Sequence, residues 1–137
     1  MCLIIDLKEK ERFLRKHKGK ERIVVWKRAT KLSKCKVGNK WIDEHAYYTP
    51  AMLKELKTGW FKAKGRLVIN KFNVYGYDGE EIKGGAIHVY VTRQEARDHN
   101  VKGKILRCEA LLKDLIAVGQ DGDACFSKIW VPKKELK

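Results

Sequence analysis

The stretch "GKILRCEALLKDLIAVGQDGDACFSKIWVP", residues 103–132, decides the fold class. Three runs within it, 103–111, 115–119 and 124–132, are rich in β-branched, aromatic and other apolar residues and read as strands. The last two are separated by the turn signal Gln120-Asp121-Gly122-Asp123. Spacings this short favour hairpins over repeated βαβ crossovers, so a mainly antiparallel sheet is expected.

Upstream, "ERIVVWKRAT" (21–30) is a continuous apolar run bounded by charge and predicts a well-buried strand, with Lys27 and Arg28 at its far end. "GRLVINKFNVYGY" (65–77) predicts a strand with Leu67, Ile69 and Phe72 facing inward, followed by a turn at Asp78-Gly79. "AIHVYV" (86–91) predicts another, entered through Gly84-Gly85. Residues 31–49 show no clear period, carry Gly38-Asn39 as a turn, and read as loop with one short strand around Trp41.

Three short helices are expected. Asp6 with Glu9 forms a variant capping box, and Leu7, Phe13 and Leu14 line one side of a helix ending near Gly19. Thr49-Pro50 opens "TPAMLKELK" as a helix of about two turns. Thr92 and Glu95 make a second capping box, starting a helix that runs to about His99. The expected fold is therefore α+β: one compact domain over residues 1–137, with a mainly antiparallel sheet of about five to six strands and two or three short helices. Residues 1–20 form its basic N-terminal helical segment.

Charge points to a partner. Thirty-one Lys and Arg against 17 Asp and Glu give a formal net charge of +14, more than solubility needs. An anionic partner is expected, either an anionic nucleotide small molecule or nucleic acid. There is no run of about 18 apolar residues and no export signal, so no membrane partner is expected and the cytoplasm is the expected compartment. Cys2, Cys35, Cys108 and Cys125 lie far apart, without the spacing of metal ligands, and read as free thiols; no metal and no cofactor are expected.

Catalytic sets are missing as well. Ser33 and Ser127 are the only serines, and neither stands in a nucleophile elbow. Asp43-Glu44, Glu80-Glu81 and Asp121 with Asp123 sit in polar, turn-like settings that would not raise a carboxyl pKa for acid–base work. Cys108 with His88 is arithmetically a thiol–imidazole pair, but a cysteine on a strand is usually a small hydrophobe. No enzymatic activity is expected.

What stands out is basic residues interleaved with aromatics, as in Trp26-Lys27-Arg28, Trp60-Phe61-Lys62 and Lys128 with Trp130. Aromatic faces stack on nucleobases while guanidinium and ammonium groups meet phosphates. Trp26, Phe126 and Trp130 lie in apolar runs and are assigned to packing, whereas Tyr47, Tyr48, Trp60 and Tyr77 are binding candidates. The two-residue period puts His88 with Tyr90, opposite Ile87, Val89 and Val91, so His88 should face solvent or a pocket. The helix start at Thr92 with Arg93 and Arg97 is a candidate phosphate site. Arg28, Arg93 and Arg107 are the best pyrophosphate partners, because arginine offers bidentate contacts. The expected ligand-binding set is Arg28, Tyr48, His88, Tyr90, Thr92, Arg93 and Arg107.

Several fragments, "MCL", "IVVWKRA", "YYTP", "IHVY", "KILRCEA" and the ending "AVGQDGDACFSKIWV", occur in an order and spacing that resemble small proteins of bacteriophages and prophages. Within these the chain resembles the Thoeris anti-defence proteins that act as sponges. That resemblance implies a non-catalytic homo-oligomer in the host cytoplasm. It would capture an anionic nucleotide signal, a cyclic ADP-ribose isomer or cyclic oligonucleotide, and so block host antiviral signalling. The long basic N-terminal helix departs from it. The alternative is a DNA- or RNA-binding phage protein that uses the same basic surface.

Overall fold

The computed structural model describes residues 3–31, 35–37, 40–42, 47–48, 56–98 and 103–136. Along the chain come β1 (Leu3–Ile4), α1 (Leu7–Lys16), β2 (Arg22–Lys31), β3 (Cys35–Val37), β4 (Lys40–Ile42), β5 (Tyr47–Tyr48), β6 (Gly59–Lys62), β7 (Val68–Val74) and β8 (Tyr77–Gly84). They are followed by β9 (Ile87–Tyr90), α2 (Arg93–Asp98), β10 (Lys104–Leu111), β11 (Leu115–Val118), β12 (Asp123–Phe126) and β13 (Lys128–Val131). Single 3-10 turns lie at Leu112–Asp114 and Lys133–Leu136.

The larger sheet has the order β11-β12-β9-β2-β10-β13-β6, a second sheet is β1-β8-β7, and β3 pairs with β4. β5 pairs with the far end of β2, Tyr48 opposite Thr30. Every pairing is antiparallel. The antiparallel class and the two α-helices agree with the sequence reading, but the larger sheet has seven strands in line, with β5 beside β2 as an eighth, and the second has three, rather than five or six in one. Besides β5, four strands make up the excess in these two sheets: β1 and β6, of only two and four residues, β8, and β13 split from β12. The run 124–132 is not one strand: it breaks at Ser127 into β12 and β13, which pair with different neighbours. β8 is polar along most of its length and carries little hydrophobic signal.

Ser127 also brings the ends of the larger sheet together. Its N–H donates to the Asp114 carbonyl beside β11, at 3.0 Å, and its carbonyl accepts from the Ala63 N–H just after β6, at 2.9 Å. Inward-facing residues of strands from both ends therefore meet in one core, including Val118 on β11, Phe126 on β12, Val25 on β2, Leu106 on β10 and Ile129 on β13. Phe13 of α1 and Leu56 complete it. A smaller core of Leu3, Ile82, Ala117 and Cys125 joins the three-stranded sheet to the β11–β12 end.

Of the two predicted capping boxes the N-cap half forms in each, while at α1 the return half does not, the Asp6 N–H donating to the Val118 carbonyl and Glu9 Oε1 accepting from Arg12. Asp6 Oδ1 accepts from the Glu9 N–H at 3.0 Å and Thr92 Oγ1 from the Glu95 N–H at 3.1 Å, each satisfying a donor with no partner inside its helix. On α1, however, only Phe13 is buried, while Leu7 and Leu14 are exposed, so the expected apolar side narrows to one residue. The helix expected over 49–57 rests mainly on 49–55, which lie outside the described residues. Among the described residues no helix is long and apolar enough to cross a membrane.

The β7–β8 hairpin departs from the sequence reading. Its turn is Tyr75-Gly76, both at positive φ (52° and 81°), the requirement of a two-residue type I′ connection. Asp78 and Gly79 lie in β8 instead. Asp78 stands opposite Asn73, whose Nδ2 donates to its carboxylate at 2.7 Å. Gly79 stands opposite Phe72, and a Cβ there would run into the phenyl ring. The glycine therefore serves a cross-strand contact, and the turn falls three residues earlier. Leu67 and Ile69, expected inward, are 39% and 45% exposed, because the three-stranded sheet reaches past the small core that covers Leu3 and Ile82.

Candidate nucleic-acid interface

Strand alternation divides β2 into two faces. Ile23, Val25, Lys27 and Ala29 are buried in the core; Arg22, Val24, Trp26 and Arg28 belong to the outer face. Residues directly opposite one another in an antiparallel pair lie on the same face. Register therefore carries the outer face across the sheet: Arg107 lies opposite Trp26 and Glu109 opposite Val24 on β10. It continues to Trp130, opposite Glu109 on β13, and to Trp60, opposite Trp130 on β6, with Lys128 and Lys62 as the next pair on that face.

Four adjacent strands thus present three indoles and several cations together. The Trp60 and Trp130 rings meet edge to face, 5.4 Å apart between centroids at 73°. The Lys128 ammonium lies 4.8 Å and the Arg22 guanidinium 5.7 Å from the Trp60 centroid, and the Arg93 guanidinium 6.0 Å from that of Trp26. These are cation–π distances, and they hold positive charge at the rings. Glu109 interrupts the basic field. Its Oε2 takes the Arg22 Nη1–H at 3.2 Å in a partly exposed pair.

The predicted ligand set divides along this face. Arg107 is exposed on it, with its backbone N–H donating to Glu135 Oε1 at 3.0 Å. Arg28 is half-buried and hydrogen-bonds the Tyr90 hydroxyl; burial pushes the Tyr90 phenol pKa up, against the lowering effect of Arg28. Tyr90 is itself buried, opposite Trp26 on the same face, and anchors Arg28 there. Arg93 opens α2 beside Trp26, whereas the Thr92 hydroxyl is occupied as the helix cap. The Tyr48 side chain lies outside the described residues.

His88 is set apart from the arginines. It shares the outer face with Tyr90, as its period required, but at the end where the three-stranded sheet packs, and it is half-buried there. Burial and then the Lys27 ammonium push its pKa down to about 4, so the ring is neutral at neutral pH and offers a phosphate no charge. Its Nδ1 lies 3.4 Å from Cys125 Sγ, whose thiol burial pushes up to about 12. With the imidazole that weak a base and the thiol that weak an acid, the pair stays neutral and lacks the thiolate a nucleophile needs.

Lys27 corrects a second expectation. It stands in mid-strand on the core face, only 6% exposed, with Nζ donating to the His88 carbonyl at 2.9 Å. β2 and β9 pair at Trp26 and Tyr90 alone, and the lysine satisfies a carbonyl beside that short junction.

Sequence reasoning missed Arg22 and Glu109 and assigned Trp26 and Trp130 to packing. All four are half-buried or exposed on the outer face. Alternation within 22–28 could have placed Arg22 with Trp26 and Arg28. The juxtaposition of Trp130, Glu109 and Trp60 could not be read, because it depends on strand order.

No protein-family model matches the chain, and no curated protein or solved structure matches it.

Proposed function

We propose that the chain binds single-stranded nucleic acid across the outer face of its larger sheet, without catalysis. One observation carries the reading: Trp26, Trp130 and Trp60 share a sheet face with Arg22, Arg107, Lys62 and Lys128. Indoles on such a face can stack unpaired bases while the cations meet the phosphates between them. A duplex keeps its bases stacked inside and could engage only the cations, so single strands should be preferred.

Tryptophan-fluorescence titration with oligothymidylate and oligouridylate tests this. Saturable quenching is expected, and Trp60→Ala should weaken binding by about 1–3 kcal/mol. No quenching by either strand at low salt would end the reading.

A second reading is non-catalytic capture of an anionic nucleotide signal, a cyclic ADP-ribose isomer or a cyclic oligonucleotide, of the kind phage anti-defence proteins hold. One observation favours it: the Arg93 guanidinium lies 6.0 Å from the Trp26 ring, and Arg28, hydrogen-bonded to the Tyr90 hydroxyl, stands two residues on along the same face of β2. A single base with a pyrophosphate would suit that corner. Calorimetry with both ligand types separates the readings. Stoichiometric, salt-insensitive binding that Trp26→Ala abolishes and Trp60→Ala leaves intact would replace the first reading with the second.

A further inference from the structure

We infer that the chain self-associates through the free edge of β7, which pairs antiparallel with β7 of a second copy and joins two three-stranded sheets into one. This proposal concerns the smaller sheet and does not rest on the nucleic-acid reading.

β7 ends the order β1-β8-β7, so among the described residues its outer edge has no strand beside it. An open edge presents unpaired backbone donors and acceptors, a template for another strand unless charge, proline or a cover blocks it. Here the guard is weak. Leu67, Val68 and Ile69 are successively 39%, 47% and 45% exposed, and Lys71 is the one charged residue in Val68–Val74.

Charge selects a second copy as the occupant. A molecule of net charge +14 repels its own kind over most of its surface. Residues 64–84, the stretch that would meet, instead hold four cations, Lys64, Arg66, Lys71 and Lys83, against three carboxylates, Asp78, Glu80 and Glu81, and so are nearly balanced. Two copies can therefore approach here without the general repulsion. An anionic polymer, by contrast, would find little net positive charge.

The register follows from the hairpin. Val74 faces Tyr77 across the type I′ turn, and the alternation of antiparallel bonding then turns the backbone groups of Ile69, Lys71 and Asn73 to the free edge. A two-fold axis at Lys71 would set two ammonium groups face to face. An axis at Asn70 places Lys71 opposite Ile69 of the second copy, and carries the hairpin tip towards the partner's Lys64 and Arg66, both exposed.

The tip holds the independent observation. Tyr75 is 97% exposed at φ 52°, a conformation that favours glycine, asparagine or aspartate and is strained for a bulky side chain. Folding gains nothing from an exposed ring held so, whereas a neighbouring copy would offer that ring cationic side chains to stack on.

Sedimentation velocity over a concentration series tests the proposal on the full chain. Wild type should pass from monomer to dimer mass. Ile69→Lys, which charges the edge, and Asn73→Pro, which removes an outward N–H, should each weaken the dimer roughly tenfold or more with unchanged circular dichroism. Tyr75→Asn should raise Tm by a few degrees and still weaken association, two opposite movements that a purely structural role would not produce. A wild type that stays monomeric up to its solubility limit would overturn the proposal. So would a dimer that survives both Ile69→Lys and Asn73→Pro.

Discussion

Lys27 places an ammonium on the core face of β2, opposite Leu106 and between Val25 and Ala29, with one backbone carbonyl as its hydrogen-bond partner. Burial pushes its pKa from the usual 10.5 down to about 8. The sign follows directly. Between about pH 8 and 10.5 the unfolded chain holds the proton and the folded chain does not, so stability rises with pH across that window; below it the full penalty of a buried charge is present. A shift of that size corresponds to ~3 kcal/mol. In Lys27→Met this rise should disappear, so that wild type gains ~3 kcal/mol on the variant between pH 8 and 10.5. Chemical denaturation of both proteins at each pH measures it, and parallel stability curves would show that the lysine is not held charged in the core. A lysine at this position was legible as a residue of β2. The alternation that sets Arg22 with Trp26 and Arg28 also sets Lys27 with Ile23 and Val25, but the burial of Lys27 was not legible, because a lysine in mid-strand ordinarily signals an exposed face.

At the scale of elements, the hairpin shows how a strong local signal can be overridden by a contact across the strands. Asp78-Gly79 has the composition of a turn, yet Gly79 is needed where the Phe72 ring lies against the backbone, and Tyr75-Gly76 makes the turn. Gly79→Ala should therefore destabilise the protein by about 1–3 kcal/mol, because the added methyl must displace an aromatic ring. Pairing it with Phe72→Leu should recover part of the loss. Thermal unfolding of the single and double variants decides between this and a turn at 78–79, where alanine would cost the same with either residue at position 72. The β12–β13 break has a similar origin. Nothing in "ACFSKIWV" marks Ser127 as a corner, since its role is to bond a carbonyl by β11 and an N–H by β6, neither adjacent in sequence.

For the whole molecule, the relevant quantity is how the +14 surplus is distributed. If Arg22, Arg107, Lys62 and Lys128 each meet a phosphate, the logarithm of affinity for single strands should fall against that of salt with a slope of about −3. Glu109 sits within this field and holds Arg22, so a phosphate must compete with its carboxylate. Glu109→Gln should then tighten binding several-fold at low salt, the advantage shrinking as salt rises. Equal affinity for the two proteins across the salt series would place the ligand elsewhere than on this face.

Composition and local pattern by themselves determined an antiparallel α+β chain, both helix caps, the strands β2, β9, β10 and β11, and a surplus of positive charge mixed with aromatics. These are short-range properties: periodicity, capping and turn chemistry act over a few residues, and net charge is a sum that needs no fold. Tertiary structure alone decided which of those aromatics and cations face one another. Trp26, Arg107, Glu109, Trp130 and Trp60 come together from four strands only once the order β2-β10-β13-β6 and its register are fixed. The same order gathered the inward faces into one core, put Lys27 inside it, and set His88 under the small sheet rather than among the arginines. Strand order is settled by the joint burial of side chains far apart in the chain, and no local window of sequence contains that information.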